Sequence, residues 1–278
     1  MKQRILLTQV LPLALTLVVA CLFTAILYAE ITVLNIFTPS DISTKIRLVD
    51  VGIGLTIYLK TSIDFAIFMG GLMQKNPGWK SRIAIEIGTA AGNALGTMAI
   101  LFIWAFFKEV EWLLAIMIVI ASLVLVTLAE DGLEHAKAAD KGYPYIFRKI
   151  VSIFERFLRF TNLIARPIVS RILPGGGLQS VTKATFWSLM SFAFLIPFVL
   201  GLDDFAGYVP LFSLVNIFGF SIGVFFAHAL LNAFLYLSPD RTIRAVKNPI
   251  ISLVGSIAFI GLAGLGIYEA TKLLLGLH

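Results

Sequence analysis

The chain has 278 residues, of which 59% are hydrophobic and only 14% charged. A soluble domain carries about 25% charged residues, so there is too little polar surface here to cover a water-soluble globule, and a lipid bilayer is the solvent that suits the chain. The net charge of +6 is no mark of nucleic-acid binding, because most basic residues lie between the apolar runs. The single cysteine, Cys21, excludes an internal disulfide and a cysteine-cluster metal site.

A helix needs about 20 apolar residues to cross the hydrocarbon core. Seven runs qualify: 5–28, 48–73, 83–107, 112–129, 184–212, 216–237 and 250–275. The first starts with Lys2 and Arg4, as a signal peptide does, but its apolar run continues past Cys21 to Tyr28. A signal core is only about 7–15 residues long, so the run reads as an uncleaved span. Lysine and arginine set the orientation. With the N-terminus cytoplasmic, 17 basic residues fall in cytoplasmic segments and 4 (Lys45, Arg47, Lys108, Lys272) outside; Lys60 lies within the second run. The C-terminus is then external. A prokaryotic plasma membrane, the inner membrane, is the expected location.

Between the fourth and fifth runs lies a cytoplasmic segment, 130–183. Over 145–172 it interleaves Ile146, Phe147, Ile150, Ile153, Phe154, Phe157 and Leu158 with Arg148, Lys149, Arg156, Arg159, Arg166 and Arg171. This is the pattern of a basic amphipathic helix lying in the membrane interface, its cations meeting anionic lipid headgroups. A surface linker and a partner-binding helix share that pattern. Pro174-Gly175-Gly176-Gly177 then forms a joint.

The runs 48–129 and 184–276 read as an internal repeat. Ser62-Ile63-Asp64-Phe65-Ala66 matches Leu202-Asp203-Asp204-Phe205-Ala206, and each is followed by a run with small residues every four positions: Gly88, Gly92 and Gly96, then Gly219, Gly223 and Ala227. Such spacing lets helices approach closely. Three spans per copy force the copies to cross in opposite directions, the inverted-repeat plan of many secondary transporters. The expected architecture is therefore all-α: a polytopic membrane helix bundle of about seven spans, with two inverted three-helix repeats and a lead helix over 1–29.

Charge inside the bilayer costs at least about 2.5–3.5 kcal/mol and faces a partner or a cavity. Lys60 and Asp64 are four apart in the second run; they form either a structural ion pair or part of a site. Asp203 and Asp204 lie between Pro197 and Pro210, which should bend or break the fifth span; freed carbonyls beside carboxylates suit a hard cation, unless the pair is solvated at the outer interface. Asn93, His228 and Asn232 are candidates to join an ion site, or to act as interhelical hydrogen-bonders. Glu130, Asp131, Glu134 and His135 form either a cytoplasmic cation entry or a solvated helix end, and Glu86 is expected to pair with Arg82 one turn before it.

The stretch Leu202-Asp203-Asp204-Phe205-Ala206-Gly207-Tyr208-Val209-Pro210-Leu211-Phe212 resembles the second-repeat motif of CadD-type cadmium-resistance transporters, and Thr61-Ser62-Ile63-Asp64 resembles the first-repeat acidic motif of these and of TerC family proteins, all in the LysE superfamily. The resemblance implies inverted three-helix repeats and export of metal ions or amino acids. It aligns Asp203 with the family aspartate, whereas the internal repeat aligns Asp204 with Asp64. Without a usable thiolate, a hard ion such as Mn²⁺ or Ca²⁺ suits Asp64, Asp203 and Asp204 better than Cd²⁺.

The expected function is export of a divalent cation from the cytoplasm by alternating access. Protons are the expected coupling ion, and Lys60 compensates charge. No cofactor is expected to be bound permanently. No nucleotide is expected either, because no phosphate-binding glycine loop is present. Catalysis is not expected. An amino-acid exporter, a membrane-embedded enzyme and a non-transporting scaffold are the alternatives, and homo-oligomerisation is left open.

Overall fold

The computed structural model describes residues 10–39, 41–137, 142–172, 185–213 and 215–276. Those residues are mainly helical and contain no strand. In chain order the helices are α1 (Leu11–Phe37), α2 (Leu48–Thr61), α3 (Ile63–Lys75), α4 (Trp79–Phe107), α5 (Glu111–Lys137), α6 (Tyr145–Ile172), α7 (Phe186–Tyr208), α8 (Ile217–Leu237), α9 (Pro239–Val246) and α10 (Pro249–Leu275), with a 3₁₀ turn over Val209–Ser213 after α7. Five helical stretches are long and apolar enough to cross a membrane: Leu13–Phe37, Trp79–Phe107, Glu111–Asp131, Ile217–Leu237 and Pro249–Leu275. Leu48–Leu59 and Phe186–Leu195 are shorter apolar stretches.

Three boundaries differ from expectation. The lead helix runs to Phe37, nine residues beyond Tyr28, because Asn35 closes the chain behind it: its side chain accepts from the Ile42 N–H (2.7 Å) and donates to the Ile42 carbonyl (2.9 Å). The second run is two helices, interrupted where Ser62 takes ψ 19°. Pro197 does not end α7; the backbone tightens instead at Val209–Ser213, around Pro210.

Local chemistry explains two other ends. The Asn216 side chain caps α8 by accepting from the Gly219 N–H (2.9 Å), and Asn248 caps α10 by accepting from the Ile250 N–H (2.9 Å) just ahead of Pro249. Gly276 ends α10 in the left-handed conformation (φ 63°).

Two compact units form. In the first, comprising α1–α3, α8 and most of α4, α7 and α9, the glycines of α4 and α8 set the packing. A methyl group on Gly88 would strike the carbonyl oxygen of Met190 on α7, and one on Gly92 that of Phe194, with the Pro197 ring 2.8 Å away. A methyl on Gly223 would likewise strike the Val51 carbonyl oxygen on α2 and lie 2.9 Å from the Leu55 nitrogen; on Gly219 it would lie 3.2 Å from the Asp50 Cβ and 3.5 Å from the Arg47 carbonyl oxygen. Backbone meets backbone at both crossings, as small-residue faces permit. Asp50 is buried at the start of α2 and takes a two-pronged bond from Arg47 (2.5 and 2.8 Å), which pushes the exposed guanidinium's pKa up.

In the second unit, α5 packs along α10 through Leu125, Ala129 and Leu133 against Leu253, Phe259 and Ala263. Helix α6 adds Val151 and Leu158 to this core. With Ala165 these lie seven residues apart, one narrow buried stripe down α6. A second apolar stripe of α6 (Ile146, Ile153, Phe157, Phe160, Ile164) stands exposed. Large exposed apolar side chains also line α1, α4 and α10: Leu17, Val18, Phe102, Val254 and Leu265 are each more than 40% accessible. In water such surfaces are a liability, and in lipid they are the proper outside.

Candidate functional site: a buried polar cluster on α4 and α8

Within the first unit the apolar interior is broken by one connected polar cluster. Glu86 on α4 is fully buried. Its Oε2 accepts from the Tyr236 hydroxyl and from the Asn232 side-chain amide (3.0 Å), both on α8. Among the described residues no lysine or arginine forms an ion pair with Glu86; Arg82, expected to do so, donates instead to the Tyr236 carbonyl at 3.3 Å. The helical register explains this. Residues 232 and 236 are one turn apart on α8, so both polar groups face the same turn of α4.

Asn232 is the hub. Its amide nitrogen also lies 3.0 Å from His228 Nε2 and 3.4 Å from the Thr89 hydroxyl. An amide nitrogen only donates, so Nε2 accepts and Nδ1 carries the histidine proton. Nδ1 is 2.6 Å from the Tyr58 hydroxyl on α2, and therefore donates to it. The opposite amide orientation would set Asn232 Oδ1 against the Glu86 carboxylate, two acceptors face to face. Two oxygens of the cluster remain buried without a donor: Glu86 Oε1 and Asn232 Oδ1. Beside the cluster is a cavity of about 10 Å³, lined among others by Thr16, Glu86, Asn93 and His228. That is close to the least space that admits one water.

Of the expected ion-site residues, Asn93, His228 and Asn232 are therefore buried in or beside one cluster. Lys60, Asp64, Asp203 and Asp204 are placed by backbone only, since their side chains lie outside the described residues. Lys60 is the penultimate residue of α2 and Asp64 the second of α3. The carbonyl end of a helix favours a cation and its N–H end an anion, so each charge occupies the half-helix end that suits it. Asp203 and Asp204 occupy the last two turns of α7. Among the described residues no group of three His, Cys, Asp or Glu side chains is placed to hold a metal.

The acidic end of α5 is engaged elsewhere. Glu130 accepts from the Asn162 amide (2.6 Å) and lies 3.3 Å from Arg166, which also bonds Asp131 (3.0 Å), so these two carboxylates dock α6. Glu134 is exposed, and the side chain of His135 lies outside the described residues. Arg166 is more than half exposed, and such pairs are worth at most about 1 kcal/mol. Arg166→Ala should therefore lower the thermal midpoint in detergent by no more than roughly 2–4 °C.

Glu86 was missed as a site residue because Arg82, four positions earlier, offered a local partner. The available signal was three polar residues at four-residue spacing on α8, His228, Asn232 and Tyr236, which require a polar face opposite.

These features define a helical membrane protein with an ionisable cluster buried inside its helices. Comparison with protein-family models, curated proteins and solved structures found no match for the chain.

Proposed function

We propose that the protein is a secondary transporter that exports a divalent metal cation from the cytoplasm by alternating access, coupled to protons. The observation that carries this reading is the interruption at Ser62. It sets Asp64 in the first turn of one half-helix, the kind of discontinuity at which secondary transporters bind their cargo. In this reading Asp64, Asp203 and Asp204 coordinate the ion, and Lys60 balances charge while the ion is absent.

The glycine crossings support two inverted repeats among seven spans. Gly88 and Gly92 correspond to Gly219 and Gly223, both pairs 131 residues apart, and the backbone they meet corresponds as well: Met190 and Phe194 answer to Arg47 and Val51, both 143 apart. The first span of each repeat thus packs on the second span of the other, and the third spans, α5 and α10, pack together. This reciprocal pattern is what a two-fold relation between repeats produces. By that register Asp203 answers to Lys60 and Asp204 to Thr61, three residues from the alignment on the acidic motifs. Three residues are nearly one helical turn, so the two alignments differ by about one turn.

The remaining assignments complete the proposal. The protein is not an enzyme, holds no permanent cofactor, and resides in a prokaryotic inner membrane with its N-terminus cytoplasmic and its C-terminus outside. It belongs with the CadD- and TerC-like exporters of the LysE superfamily. The exposed apolar stripe of α6, flanked by exposed Arg148, Lys149 and Arg156, lies on anionic headgroups.

The test is Mn²⁺ transport by protein reconstituted in vesicles. Wild type should accumulate Mn²⁺ on the side corresponding to the cell exterior under an imposed proton gradient. Asp203→Asn and Asp204→Asn should each lower the rate about 10–100-fold, at least the cost of disturbing a metal site's supporting groups. No metal transport in wild type, or unimpaired transport in both variants, overturns the reading.

A further inference from the structure

We propose that Glu86 is a proton-binding site: its free oxygen, Oε1, takes up one proton through the water-sized cavity that Thr16, Asn93 and His228 line with it. The geometry distinguishes the two carboxyl oxygens. Oε2 is saturated by the Tyr236 hydroxyl and the Asn232 amide, whereas Oε1 is buried with no close, well-aligned donor; the Thr16 hydroxyl on α1 is the further group that interacts with the carboxyl. A membrane-buried carboxylate with one oxygen poorly satisfied and, among the described residues, no ion pair is expensive. Adding a proton at Oε1 turns that charge into a neutral acid. The step makes one O–H bond; the proton comes from a hydronium ion in the cavity, which is left as water.

The groups facing Glu86 favour a proton over a larger cation. Helix α8 presents His228 and Tyr236, α2 presents Tyr58 through His228, α4 presents Arg82 one turn away, and α1 presents Thr16. Asn232 gives both amide hydrogens to Glu86 and His228, so Nε2 of the histidine is engaged and does not compete for the incoming proton. A sodium ion needs several oxygen ligands at once, and the cavity has room for about one water. Counterparts of this cluster at the repeat register are apolar or small: Glu86 answers to Ile217, Asn232 to Leu101 and Tyr236 to Ala105. The other repeat therefore holds no second copy of this cluster. The proton site's use in driving export rests on the transporter reading; its existence does not.

Infrared difference spectroscopy of the purified full chain in lipid, titrated from high to low pH, tests the site. The expected result is that, among the carboxyl C=O bands that rise as pH falls, one is absent in Glu86→Gln and persists at a shifted frequency in Glu86→Asp. The Glu86→Asp shift identifies the band even if Glu86→Gln fails to fold. No Glu86-dependent band at any pH overturns the proposal, as does a band that collapses on adding Na⁺ at constant pH, which would make this a sodium site. If the band behaves as expected while the same preparation moves no metal, the proton site stands and the transporter reading fails.

Discussion

Gly54→Ala will destabilise the protein by about 3 kcal/mol or more, whereas Gly52→Ala, two residues earlier on the same helix, will be neutral or stabilising. A methyl group on Gly54 would run into the backbone of Phe220 on α8, with the Phe220 Cα only 3.2 Å away; around Gly52 nothing lies within 4 Å. Overpacking typically costs 1–3 kcal/mol where side chains can yield. Here the obstacle is backbone held by α8's own hydrogen bonds, so the two helices must move apart. At Gly52 only the intrinsic preference remains, which favours alanine by about 1 kcal/mol. Thermal unfolding in detergent should show the midpoint of Gly54→Ala lowered by roughly 6–12 °C, taking 2–4 °C per kcal/mol. Gly70→Ala should fall between the two, because its obstacle is the flexible tip of Ile243 at 2.6 Å. Equal midpoints for Gly52→Ala and Gly54→Ala would refute the close crossing of α2 and α8.

The second large effect is expected at Asn232. Asn232→Leu is close in size but removes the amide whose two hydrogens go to Glu86 and His228. Each hydrogen bond between membrane helices is worth only about 0.6 kcal/mol on average. The greater cost is leaving a carboxylate oxygen and an imidazole nitrogen buried with fewer donors, about 1–3 kcal/mol for each such group. A total of about 2–6 kcal/mol follows. The double variant Glu86→Leu with Asn232→Leu should recover the carboxylate's share of the loss, because no buried charge is then left short of donors, although His228 Nε2 still lacks one. A double variant no more stable than Asn232→Leu alone would show that the cluster is not the coupled unit described.

Helix existence was legible wherever an apolar run had clear polar limits. Trp79–Phe107, Ile217–Leu237 and Pro249–Leu275 fall within a few residues of the expected runs, since apolar composition and the Asn216 and Asn248 caps mark them. The end of α1 was not legible from an apolar run that reaches only Tyr28, because what closes the helix is Asn35 binding Ile42, seven residues ahead. The interruption at Ser62 has no signature in a run rich in Ile, Tyr and Leu; a serine is tolerated in a membrane helix. Pro197 misled in the other direction. Its ring rests against Gly92, where a missing side chain leaves room, and α7 continues through it. Glu86 was misassigned because pairing rules look one turn along the chain, and its partners lie about 150 residues away. His228, Asn232 and Asn93 stood out simply as polar residues in apolar spans.

Metal binding tests the central claim, one cation site shared by the two acidic motifs, most directly. Equilibrium titration of purified protein with Mn²⁺ should give one saturable ion per chain in wild type. Asp64→Asn, Asp204→Asn and the double variant should each abolish it to the same extent, since ligands of one site fail together. Half of the bound ion retained in each single variant, or no saturable binding in wild type, would contradict a shared site.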